Sequence, residues 1–155
     1  MSGLNLIHFL HVMLGVTLLG VAVASFFYVT YSWRHGAYPM RFTFKASFFG
    51  DALILPIIIF QFFSGYHLMI VNQLSLHTPW ILIAFIALST ISVLWLAIAY
   101  IRYINYQASG RQHQPLTFHY KKIYNTLNLL IIILLLVINH DAIMQQTWFN
   151  LNFLR

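Results

Sequence analysis

Apolar and polar positions fall into long blocks along this chain. Four apolar runs, at about residues 4–31, 52–71, 80–103 and 123–139, are separated by short polar connections. Each run approaches or exceeds the length needed to cross a hydrocarbon core, about 20 apolar residues. The connections Ser32–Asp51, Asn72–Pro79 and Ile104–Lys122 carry turn and polar chemistry: His35-Gly36, Asn72-Gln73 and Ser109-Gly110-Arg111-Gln112. Antiparallel spans joined this closely predict an all-α, up-down-up-down four-helix bundle, with residues 1–155 as a single integral membrane domain. No internal repeat or heptad array stands out. Ala22-Val23-Ala24 resembles a signal-peptidase site, but no Lys or Arg precedes the first run and the run is too long for a leader. It is expected to be a span.

Composition supports lipid as the solvent. Hydrophobic residues make up 61% and charged residues 6% of the 155, against about 45–50% and about 25% in soluble domains. A soluble globule of this size has too much surface to hide that apolar content. There is no cysteine, which excludes disulfides, thiolate metal sites and thiol nucleophiles. The only acids are Asp51 and Asp141, so a mechanism needing two neighbouring carboxylates is hard to build.

The net charge of +6 changes the picture only through its placement. Arg34, Arg41, Lys45, Arg102, Arg111, Lys121 and Lys122 all fall in or beside the first and third connections, and only Arg155 falls elsewhere. They form no stripe along one helix, which argues against nucleic acid. The positive-inside rule puts that side in the cytoplasm and both termini in the periplasm of a bacterial inner membrane. Tyr28, Tyr31 and Trp33 on one side, and Trp80 and Trp148 on the other, are the expected interfacial anchors.

With that topology the eight histidines sort by depth. His35, His113 and His119 belong to the inner connections, and His77 to the outer one. His8, His11, His67 and His140 belong to the spans. At 1.5 Å per residue, His8 and His11 lie about 5–11 Å below the outer end of span one, and His67 about 6 Å below that of span two. His140 ends span four at a similar level. Four imidazoles from three helices thus share the outer layer. His8 and His11 are three apart and share a face, and Gly15 follows one turn on. In span two, Pro56, Phe60, Ser64 and His67 have helical spacing beside Gly65, and in span four Asp141 adjoins His140 as an orienting carboxylate.

Ionisable groups inside a membrane are costly and mark ligand sites, relays or pathways. Neutral imidazole is a common axial ligand of haem, and helical bundles hold such groups between facing helices. Phe9, Phe60, Phe62, Phe63 and Tyr66 supply apolar surroundings. Two other readings stay open at this point: interfacial histidines bonded to water or headgroups, and a metal or proton relay. Asp51 at the start of span two reads as a helix cap or a partner of Lys45, and Trp33–Phe49 as a segment lying along an anionic leaflet. The five methionines are scattered and read as packing.

Phe9-Leu10-His11-Val12-Met13-Leu14-Gly15, continuing through Gly20 to Phe27-Tyr28, resembles the first helix of small bacterial four-helix inner-membrane proteins of unknown function. That group is similar to the copper-resistance D family and to the membrane-embedded, haem-binding protoporphyrinogen oxidases. Ser64-Gly65 is similar to a small-residue pair these proteins carry. The resemblance implies a haem b ligand at His11. The oxidase's basic motif after the Phe-Tyr of span one and its lysine near the carboxyl end have no counterpart here.

The expectation is therefore a haem b protein of electron transfer, an oxidoreductase reading, with His11 and His67 as the first ligand pair. His8 and His140 are alternates or propionate partners. A quinol or a periplasmic redox protein is the expected electron donor. The alternatives are a non-catalytic small subunit or assembly factor of a larger complex, with homo-oligomerisation open, and periplasm-facing copper or zinc handling through the same histidines.

Overall fold

The computed structural model describes residues 3–35, 40–109 and 118–144; Arg111, His113, Trp148 and Arg155 lie outside them. Four α-helices follow in order: α1 Gly3–His35, α2 Met40–Val71, α3 Pro79–Ser109 and α4 Phe118–Met144. Each contains a stretch long and apolar enough to span a membrane: Leu6–Tyr31, Ala52–Val71, Pro79–Ile104 and Lys121–Met144. The chain is a multi-pass integral membrane protein of all-α class, consistent with a bacterial inner membrane.

Sequential helices pack side by side, and α1 closes the ring against α4. The end holding Gly3, Val71, Pro79 and Met144 is here the terminal end. The other, where Arg34 and Lys45 are exposed, is the basic end.

Helix α2 starts twelve residues before its apolar run. Hydropathy reports solvent, whereas the backbone ladder continues into the interface because each added residue closes another hydrogen bond. The expected inner-leaflet segment Trp33–Phe49 therefore belongs to the ends of α1 and α2, apart from residues 36–39, which lie outside the described residues. Asp51 is eleven residues inside α2, so it does not cap the helix.

The α2–α3 turn closes at the predicted place. Leu74 N–H donates to the Met69 carbonyl and Gln73 N–H to that of Ile70, with Gln73 left-handed at φ 54°. This is the paired bonding of a Schellman C-cap, with glutamine where glycine is commonest. Helix α3 starts with Thr78 before Pro79, at the position where a missing N–H costs nothing; Ile81 and Leu82 N–H both donate to the Thr78 carbonyl.

Buried positions recur at alternating steps of four and three. Leu18, Ala22 and Val29 face inward on α1, with half-buried Ser25 in the same series; Ile54, Ile58 and Gln61 do so on α2. Ile91, Trp95, Ile98 and Arg102 do so on α3, and Tyr124, Asn128, Ile131 and Leu135 on α4. That spacing is the knobs-into-holes seam of a bundle with small crossing angles. Leu18, Ile58, Ile91, Trp95, Ile131 and Leu135 form an apolar plug across the middle. Polar groups collect on either side of it.

Candidate functional site

The polar layer at the terminal end is built by α1, α2 and α4. His11 on α1 is half-buried, and its Nδ1 lies 2.7 Å from Ser64 Oγ on α2. The serine hydroxyl donates to the Phe60 carbonyl at 2.6 Å, with the Gln61 carbonyl a weaker alternative at 3.4 Å. A hydroxyl has one proton, so when Ser64 gives it to the Phe60 carbonyl, Oγ accepts from His11. In that arrangement Nδ1 of His11 carries a proton, and in the neutral ring Nε2 keeps its lone pair. Among the described residues Nε2 has no hydrogen-bond partner.

The backbone of the same helix is held as well. Gln61, buried on α2, donates from Nε2 to the His11 carbonyl at 2.7 Å. Gly65 explains how the ring comes so close: a Cβ there would stand 3.2 Å from His11 Cε1. Glycine lets the imidazole lie against α2.

The pairing of His11 with Ser64 sets the register of the other histidines. Three residues toward the terminal end, antiparallel helices bring His8 and His67 to one level. Both are exposed. The expected stripe Pro56, Phe60, Ser64, His67 is not the inward face of α2: Pro56 and His67 are exposed, and Ile54, Ile58, Gln61 and Ser64 are buried. The reason is the choice of ridge. The seam of α2 runs through residues 54, 58 and 61, so His67 falls beside it.

On α4, Asn139 approaches Gly15 of α1, one turn inside His11. His140 Nδ1 lies 3.1 Å from Asp141 Oδ1. The carboxylate is buried at 1% exposure while the imidazole is about one-third exposed. The expected histidine–carboxylate pairing is thus present, in the layer that holds Gly15. His77, in the α2–α3 connection, is exposed. Among the described residues no three His or Asp side chains converge as a metal site would require.

A second polar group lies beyond the plug, at the basic end, where the sequence pointed only to surface bases. Arg102, expected at a connection's edge, is 1% exposed inside α3. Its guanidinium donates to Ser25 Oγ on α1 at 2.7 Å and to the Tyr124 hydroxyl on α4, and it stacks over the Tyr124 ring 5.3 Å from the centroid. Asn128 donates to the Tyr124 carbonyl at 2.8 Å, and Thr30 reaches Asn125 at 3.4 Å. Polar residues at buried seam positions were the available signal: Gln61 is the one amide in span two.

A family profile described as "Predicted integral membrane protein" spans residues 5–145, nearly the whole chain. The chain belongs to this family, DUF2269. The expected membership of a membrane family of unknown function stands on that match, which does not extend to the copper-resistance D family or to the protoporphyrinogen oxidases. No curated protein and no solved structure matches the chain. In this DUF2269 member the buried polar side chains lie in two layers, one on either side of the apolar plug.

Proposed function

We propose that this chain is a haem b-binding membrane protein that transfers electrons at the terminal end of its bundle. The observation that supports the reading is the 2.7 Å contact of His11 Nδ1 with Ser64 Oγ, whose hydroxyl is bonded onward to the Phe60 carbonyl. A ligating imidazole usually donates its outer ring N–H to a fixed acceptor, which orients the ring and leaves the other nitrogen for the metal. Ser64 is such an acceptor, fixed by the Phe60 carbonyl. His11 would ligate, Ser64 would hold the ring's rotation, and Gly65 gives the ring its place against α2. His140 Nδ1 lies 3.1 Å from buried Asp141 Oδ1, an orienting carboxylate of the kind ligating imidazoles use, which supports it as second ligand ahead of exposed His67 and His8. Haem b bound there would supply a one-electron centre. Copper or zinc handling draws less support, because such sites use three or four converging protein ligands.

The test is the absorption spectrum of the full chain purified in mild detergent. A Soret band with resolved low-spin bands on reduction is the expected result. A protein that stays colourless after haem is supplied overturns the reading in favour of a non-catalytic small subunit or assembly factor.

The same reading places both termini in the periplasm, on the strength of the Lys and Arg bias. The exposed Arg34, Lys45 and Lys122 at the basic end support it. The electron donor is then a quinol in the membrane or a periplasmic protein. A periplasm-active reporter fused after Arg155 is expected to be active; activity from only a cytoplasm-dependent reporter at that position reverses the orientation.

A further inference from the structure

Gly15 sits where α1 meets both α2 and α4. A Cβ built there would lie 3.4 Å from Gln61 Nε2 and 3.5 Å from Asn139 Oδ1. The backbone fixes the orientation of both amides. Gln61 Nε2 donates to the His11 carbonyl, and Asn139 Nδ2 donates to the Leu135 carbonyl at 2.8 Å. A carbonyl only accepts, so neither amide can be flipped. Asn139 therefore turns its oxygen toward Gly15, and Gln61 its nitrogen.

Each amide then has hydrogen-bonding capacity left over at the atom nearest Gly15. An NH₂ group has two protons, and the second on Gln61 finds no acceptor among the described residues. Oδ1 of half-buried Asn139 finds no donor there. Gln61 is 6% exposed, inside a membrane-spanning stretch, so bulk water does not meet its need. Buried polar groups are normally satisfied, by ordered water where protein does not serve.

We propose that the Gly15 notch binds a single hydroxyl oxygen, which accepts from Gln61 Nε2 and donates to Asn139 Oδ1. Water has this chemistry, and so does the hydroxyl of a membrane-soluble alcohol or phenol. A metal cation is disfavoured because the Gln61 atom nearest Gly15 is the amide nitrogen, a donor with no lone pair to offer. The site does not use the His11 imidazole, so it stands or falls apart from the haem reading. Its link to that layer is Gln61, which also holds the His11 carbonyl.

Substitution at Gly15 gives a test by sign. Helix propensity alone makes Gly→Ala stabilising, and contacts of 3.4 and 3.5 Å are ordinary for a methyl group. An empty notch would therefore leave Gly15→Ala melting at or above the unaltered protein. With an oxygen bound, the methyl ejects it, strands both amides and lowers the melting temperature by a few degrees. Gly15→Ser, which brings its own hydroxyl, recovers part of that loss. Gly20→Ala is the control, because nothing lies within 4 Å of a Cβ there; it melts at or above the unaltered protein.

Solid-state NMR of the unaltered chain in bilayers identifies the source. A cross-peak from the Gln61 side-chain NH₂ to water in synthetic lipid assigns water. A cross-peak that appears only in a native lipid extract assigns a lipid-borne hydroxyl. No cross-peak in either lipid overturns the proposal, as does a Gly15→Ala protein that melts at or above the unaltered one.

Discussion

Arg102→Ala is expected to destabilise the bundle more than truncation of any exposed base. The guanidinium is 1% exposed and ties α3 to α1 through Ser25 and to α4 through Tyr124. Its removal leaves a cavity beside the Tyr124 ring and takes the donor from two hydroxyls. Truncating a large buried side chain and leaving its hydroxyl partners without a donor typically costs on the order of 3–5 kcal/mol. In a chain of this size that is roughly 10 °C in melting temperature. Arg102→Lys recovers only part, because an ammonium does not reproduce a planar group that lies over the Tyr124 ring while its Nη2 bonds Ser25 and Tyr124. Arg34→Ala, at an exposed position on the same end, stays within about 0.5 kcal/mol. Thermal unfolding of the three variants in one detergent checks the ranking. An Arg102→Ala protein that melts with the Arg34→Ala protein would show that the network holds nothing together.

The Arg102 network also shows what hydropathy hides. Charge counting placed Arg102 with the bases at a connection, and it does lie toward the basic end, but it belongs to the interior. In water a buried seam is recognised by apolar residues against a polar surface. In lipid both faces of a helix are apolar: Leu53, Phe63, Val93 and Leu96 are exposed, and Ile54, Ile58, Ile91 and Ile98 are buried. The four-three spacing was thus invisible as hydrophobicity, though the number, class and approximate limits of the helices were legible. The residues that mark the interior are the polar ones: Gln61, Ser64, Arg102, Asn128 and Asp141, every one buried. Read at seam spacing, Gln61 follows Ile54 and Ile58, and Arg102 follows Trp95 and Ile98.

The terminal layer was legible in part. Rise per residue alone puts His8 and His67 at a similar depth, and the register set by His11 and Ser64 agrees. Direction was not legible. Nothing in the spacing of Ser64 and His67 says that the first faces α1 and the second lies exposed, because the rotation of α2 is set by packing along 54, 58 and 61. The roles of the glycines needed coordinates as well. Gly65 admits a ring and Gly15 borders two amides, and both facts depend on a neighbouring helix.

His11→Ala is expected to abolish the low-spin haem spectrum while the protein still inserts and folds. Alanine costs less in lipid than histidine, and insertion depends on the summed hydrophobicity of the span. Ser64→Ala is the more telling partner. It keeps the nitrogen proposed as ligand but removes the Ser64 hydroxyl that lies 2.7 Å from Nδ1 and holds the ring's rotation. Loss of such an orienting partner typically weakens metal binding by about 10–100-fold. Ser64→Ala should therefore retain the spectral type with that loss of haem affinity, read by titration of the haem-free protein. Gly65→Ala should act in the same direction, because its methyl would meet His11 Cε1 at 3.2 Å and turn the ring. His77→Ala, at an exposed position in the α2–α3 connection, should leave the spectrum unchanged. The second ligand is then chosen by comparing His140→Ala with His67→Ala, and a change from low-spin to high-spin bands in the first identifies the pair as His11 and His140. A His11→Ala protein that keeps the full low-spin spectrum removes His11 from the iron, and with it the argument from the Ser64 tautomer.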